Sequence, residues 1–117
     1  MDIKSLTTEM DGVVAQGAIV DAVQHFFADE ATTSDYNGVA TSNKQEMVEK
    51  MKGFAGAIAQ VNQIKHHATI VDGNETASEF TFDFDMKDNS KVYWHEIIRR
   101  SWNDEGKVIH EEYFNAQ

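Results

Sequence analysis

Twenty acidic side chains, five histidines and one adjacent arginine pair supply the reactive groups of this 117-residue chain. A carboxylate or imidazole moves a proton when it stands within hydrogen-bonding reach of a substrate atom. Asp35 is one candidate. It ends the Thr-rich stretch Ala31–Asp35, just before Tyr36-Asn37-Gly38. Asn-Gly accepts positive φ at low cost, so a turn is expected there, and an Asp at that place also serves to cap the turn. His95 is the second candidate, in the middle of a long strand pattern, and its alternative is a half-exposed histidine on the outer face of a sheet. A metal needs three or so ligands converging at about 2 Å from one point. His25, His66, His67 and His110, with Asp83, Glu96, Glu111 and Glu112, show no such spacing, and His66-His67 on a strand face opposite ways. No metal and no cofactor are expected. Arg99-Arg100 also splits across a strand. Its inward member either neutralises a carboxylate ligand or pairs with Glu79, Asp83 or Glu111.

The elements that position these groups read clearly. Leu6, Met10, Val13, Val14, Ile19, Val20, Val23, Phe26 and Phe27 recur at helical intervals. A helix over Ser5–Asp29 is expected, broken near Gly17, with Asp29-Glu30 closing it. Asn43 with Glu46 three residues on has the form of a capping box. Met47, Val48, Met51, Phe54, Ala55 and Ile58 then make the apolar stripe of a helix reaching about Gln60. Four strands follow: Val61–Val71, Thr76–Met86, Lys91–Trp102 and Lys107–Phe114. Phe80, Phe82, Phe84 and Met86 alternate with Glu79, Thr81, Asp83 and Asp85, which is the period of a strand with one apolar face. Trp94, Ile98 and Trp102 share one face of the third strand, and Tyr93, His95, Ile97 and Arg99 the other. Short turns at Asp72-Gly73-Asn74, Lys87–Ser90 and Asn103–Gly106 make this an antiparallel meander. The fold class is therefore α+β, one domain over residues 1–117: helices packed in a curved four-stranded antiparallel meander that leaves an opening at one end. A single β-bulge would exchange the two faces, so the parity that meets the pocket stays open.

Composition narrows the partners. The formal charge is −10, which repels phosphate backbones and anionic lipid and sets nucleic acid and membrane aside. With no cysteine there is no thiol nucleophile or thiolate metal site. No apolar run approaches the roughly 20 residues of a membrane span, and the first ten residues lack a signal-peptide core. A cytoplasmic protein is expected. Tyr93, Ile97 and Ile109 leave the second sheet face partly apolar, which predicts a homodimer through the convex face.

The string Phe27-Ala28-Asp29-Glu30-Ala31-Thr32-Thr33-Ser34-Asp35-Tyr36-Asn37-Gly38 resembles the helix-to-strand junction of SnoaL-like, ketosteroid-isomerase-like proteins. Trp102–Ile109 followed by Glu112-Tyr113-Phe114-Asn115 resembles their last hairpin. These proteins belong to the nuclear-transport-factor-2-like, cystatin-like cone superfamily. The fold carries isomerases, dehydratases, cyclases, hydrolases and binders without catalysis. The resemblance puts Asp35 at the place of a carboxylate general base, Phe27 at a pocket aromatic, and Met51 and Phe54 on the helix that roofs the pocket. It also implies a Tyr from the first helix and a protonated acid from the third strand as oxyanion donors. Those places fall near Met10 and at Ile98, and neither side chain can donate. Steroid isomerisation is therefore not expected.

Two functions remain. One is a pocket protein binding a small hydrophobic or carbonyl-containing molecule, with Phe27, Tyr36, Met51, Phe54, Phe82, Trp94, Ile98, Trp102 and Tyr113 as the pocket residues. The other is general acid/base catalysis on a carbonyl compound, with Asp35 as base and His95 or Tyr113 as second polar group.

Overall fold

Gly17 sets the first change of direction. In the computed structural model, which describes residues 2–117, it sits at φ +86°, a conformation costly to any side chain with a Cβ. It ends helix α1 (Ile3–Ala15) and lets α2 (Ile19–Phe26) leave at a new angle. Asp2 caps α1, accepting from the Lys4 N–H at 3.1 Å and the Ser5 hydroxyl at 2.8 Å.

The helix expected to close at Asp29-Glu30 ends at Phe26 instead, and strand β1 (Phe27–Ser34) begins at once. Phe27 has extended backbone, φ −83° and ψ 140°. This lets two consecutive phenylalanines both enter the core, each 2% exposed. Pairing between Phe27 and Val108 overrides the helical spacing of the apolar residues. A two-residue strand, β2 (Ala40–Thr41), folds back on β1 after the turn at Gly38, φ +88°. Helix α3 (Lys44–Ala57) starts at the expected cap. Asn43 Oδ1 accepts from the Glu46 N–H at 2.9 Å, while Glu46 Oε1 accepts from the Ser42 N–H at 2.8 Å.

Four long strands complete the sheet: β3 (Ile58–Asp72), β4 (Glu75–Met86), β5 (Lys91–Trp102) and β6 (Val108–Asn115). The sheet has six strands, in the order β2-β1-β6-β5-β4-β3, rather than the four of the meander alone. β1 adds to the open edge of the meander by running parallel to β6. The α+β class holds: helices cover one face of a curved, mostly antiparallel sheet.

β4 and β5 pair without a register shift, and their register settles the parity. Phe82 lies opposite Trp94, Phe80 opposite Glu96, Ser78 opposite Ile98 and Thr76 opposite Arg100. Directly opposed residues share a face. The deeply buried Phe80, Phe84, Ile98 and Trp102 mark that face as the concave one, packed on Met10, Val14, Val23, Phe26 and Met47. Burying each such large side chain stabilises by about 1.5–3 kcal/mol. The opposite, convex face carries the exposed Tyr93, Ile109 and Phe114.

Candidate functional site

Between the helices and the concave face lies a cavity of about 280 Å³. Met10 and Val14 of α1, Ile19, Ala22 and Val23 of α2, and Met51 and Phe54 of α3 cover it. Phe82 and Phe84 of β4 with Trp94 and Ile98 of β5 form its floor. Trp94 and Phe54 stack at 5.3 Å and an interplanar angle of 20°, tying the roof to the floor.

The polar wall has two parts. The first is sealed. Arg100, 1% exposed, donates from Nη1 to Asp11 Oδ1 at 2.7 Å and from Nε to Glu111 Oε2 at 2.9 Å. Asp11 accepts further from Ser78 at 2.7 Å and Thr69 at 2.8 Å, and the Tyr113 hydroxyl donates to Glu111. Burial alone would lower Arg100, but Glu111 and Asp11 hold it above its ordinary value. Burial and the Glu111 carboxylate raise Tyr113 well above the usual phenol value, so it remains a donor.

The second part is open. Glu96 faces the cavity from the middle of β5 and is 5% exposed. Burial pushes its carboxyl up to about 7. The Tyr36 hydroxyl opposes that rise, the neighbouring Asp35 and Glu111 add to it, and Lys50 works against it. Asp35 enters from the turn after β1, with Lys50 Nζ of α3 at 3.8 Å from its Oδ2. Lys50 Nζ also stands over the Tyr113 ring, 5.9 Å from its centroid. Tyr36 is half exposed at the rim. Burial and the Glu96 and Asp35 carboxyls push it up to about 12. A carboxyl with a near-neutral pKa, as Glu96 has, can both hold and release a proton at physiological pH.

The residues singled out from sequence divide into three groups, apart from Tyr36, expected in the pocket but exposed outside its lining because it lies in the turn after β1. Asp35, Met51, Phe54, Phe82, Trp94, Ile98 and Tyr113 line the cavity together. Phe27 and Trp102 lie in the core beside it. Trp102 is fully buried, donates from Nε1 to Thr76 at 3.1 Å and meets Phe26 edge to face. His95 is on the convex face, where its Nε2 pairs with Glu79 Oε2 at 2.6 Å and its ring lies 5.4 Å from His67. The expectation that His95 reaches the pocket is corrected by parity: Trp94 and Glu96, its immediate neighbours, point in, so it points out.

Sequence reasoning passed over Lys50 and Asp11 and weighed Glu96 only as a metal ligand, whereas the inward member of the arginine pair, Arg100, meets Glu111 as one of the expected partners. Glu96 was visible as the only acid on the Trp94–Ile98–Trp102 face. The place expected for an acid on the third meander strand fell on Ile98, two residues further along the same face. Among the described residues, no three His, Asp or Glu side chains are arranged to hold a metal ion, and no helix is long and apolar enough to cross a membrane.

No family model and no curated protein matches the chain. Solved structures do match over nearly its whole length. A SnoaL-like protein of Mesorhizobium loti, provisionally named a polyketide cyclase, is 19% identical with a TM-score of 0.86, over 97% of this chain and 99% of that one. A cystatin-fold protein of Novosphingobium aromaticivorans is 13% identical with a TM-score of 0.81, over 98% and 99%. An NTF2-like protein of Burkholderia pseudomallei is 10% identical with a TM-score of 0.80, over 98% and 92%. The chain shares the fold of these proteins, as its sequence resemblance implied. Activity does not follow from fold.

Proposed function

We propose that the chain binds a small, largely apolar molecule whose single polar group meets Asp35 and Glu96. One observation carries this reading: a partly enclosed cavity of about 280 Å³ with aliphatic and aromatic walls and a few polar groups, Asp35, Lys50 and Glu96 among them. Such a combination is what small-molecule sites need, apolar area for affinity and a few polar atoms for orientation. Trp94 on the floor supplies the readout. Neutral aromatic alcohols and ketones should change its fluorescence in a saturable way, while the core residue Trp102 gives a constant background. Ala22→Phe, which pushes a ring into the cavity without adding an indole, should abolish the response. Equal responses from the wild type and this filled variant would remove the pocket from the explanation.

A second reading is favoured by Glu96 itself. A carboxyl at about 7 beside Asp35 suits general acid/base chemistry on a carbonyl compound, with protonated Glu96 donating to the carbonyl oxygen and Asp35 taking the proton. The chain then has, from Glu96 and the rim hydroxyl of Tyr36, the donors that Met10 and Ile98 could not provide. If enolisable ketones exchange their α-protons with solvent on this protein, Asp35→Asn should slow that exchange by roughly 10²–10⁴-fold. A variant as fast as wild type would take the base role from Asp35.

The convex face supports a homodimer. Tyr93, Ile109 and Phe114 are 52%, 37% and 41% exposed there. Light scattering should report twice the mass of one chain at micromolar concentration, and a monomer would contradict this.

A further inference from the structure

We infer that the polar group of the ligand is a protonated amine, held by Glu96 against the aromatic wall. This deepens the pocket reading and rests on it. The inference stands on a count of partners inside the cavity. Arg100 is committed on both of its bonded edges, to Asp11 and to Glu111. Lys50, the other cation on the wall, stands at Asp35. Among the described residues, no cation contacts Glu96 within 4.0 Å, although it is 5% exposed and faces the cavity. Three acids on the cavity wall, Asp35, Glu96 and Glu111, thus face two bases, Lys50 and Arg100, and Arg100 is shared with Asp11 behind the wall, so the ionised site lacks positive charge.

A second observation is independent of that count. The pocket already accommodates one ammonium group, since Lys50 Nζ lies over the Tyr113 ring. Trp94, stacked with Phe54 and two residues from Glu96 on the same face, offers another such surface. Carboxylate and aromatic face together are what recognise an ammonium attached to an apolar body. The net charge of −10 draws cations toward the site and discourages anions.

Proton linkage gives a readout that needs no variant. The charged or titratable groups around Glu96 are Tyr36 and Asp35 from the turn, Lys50 from α3, Glu111 and Tyr113 from β6, and Arg100 on its own strand. An ammonium beside Glu96 favours its ionised form, so amine binding at pH 7 must expel the proton that Glu96 carries about half the time.

The test uses three matched probes, 3-phenylpropylamine, 3-phenylpropanol and 3-phenylpropanoate, titrated calorimetrically at pH 7 in buffers of different ionisation heat. The amine should bind about tenfold or more tightly than the alcohol and release about half a proton, with the carboxylate weakest. Glu96→Gln, checked for folding by its thermal transition, should bring the amine down to the affinity of the alcohol measured on the same variant. An alcohol that binds as tightly as the amine, or amine affinity that Glu96→Gln leaves unchanged, overturns the amine assignment and leaves the pocket reading intact. Failure of all three probes to bind at millimolar concentration overturns both.

Discussion

Arg100 and Glu96 stand four residues apart on the same face of β5 and have opposite fates. Arg100 is surrounded: two carboxylates, a serine and the network behind them answer its charge. Glu96 is equally enclosed, yet has only the rim hydroxyl of Tyr36 and the more distant Lys50 on its side. A buried ion whose partners are all present belongs to the structure, and removing one partner strands the rest. A buried acid with an unanswered charge gives up stability and keeps a proton available. The site is found by looking for the second kind of group.

The sharpest break of that contrast is Arg100→Ala. It leaves Glu111 buried without a cation and Asp11 with only the His66 ring, 3.6 Å away. The expected loss is about 3–5 kcal/mol in denaturant unfolding, the usual consequence of halving a buried pair. A loss under about 1 kcal/mol would show that water already reaches the cluster.

Glu96 acts in the opposite direction, and with a defined pH window. Its ordinary value is 4.5 and its folded value about 7. Below pH 4.5 both states hold the proton and there is no penalty. Between 4.5 and 7 the unfolded chain releases the proton while the folded one keeps it, so stability falls. Above 7 the penalty is complete, on the order of 3 kcal/mol. Glu96→Gln should therefore gain on wild type as pH rises from 5 to 8. Parallel stability curves over that range would mean that Glu96 is ionised and stabilised throughout.

Smaller effects mark the ends of the scale. Asn43→Ala removes the α3 cap and should cost about 1 kcal/mol, read from the thermal transition. His95→Ala removes a half-exposed pair with Glu79 on the convex face and should cost about 0.2–1 kcal/mol. It should leave ligand binding in the concave pocket unchanged.

The sequence showed most where a residue's neighbours in the chain determine its state. Phe80, Phe82 and Phe84 alternate without interruption, and β4 lies within a residue of expectation. β5 has the expected ends, Lys91 and Trp102. Gly17 and Asn43 mark a helix break and a helix start by local backbone chemistry. What was hidden depends on distant parts of the chain. β1 starts at Phe27 because Val108, 81 positions later, is its partner. α3 ends at Ala57, and Ile58–Gln60 join β3, because Ile58 pairs with Met86. Nothing near Asp11 in the chain signals its burial, because its partner Arg100 lies 89 positions away. The parity of β5 decided the site: one step along the strand separates His95, facing out, from Glu96, facing in.

The most direct measurement is a carboxyl-detected NMR titration of Glu96 in the unliganded protein, assigned by loss of the signal in Glu96→Gln. A midpoint near 7 would establish an enclosed acid with no cation to answer it, ready to exchange a proton or meet an ammonium. A midpoint at the ordinary 4.5 would mean that water or a counter-charge already serves Glu96, and the acid/base reading of this pocket would fail.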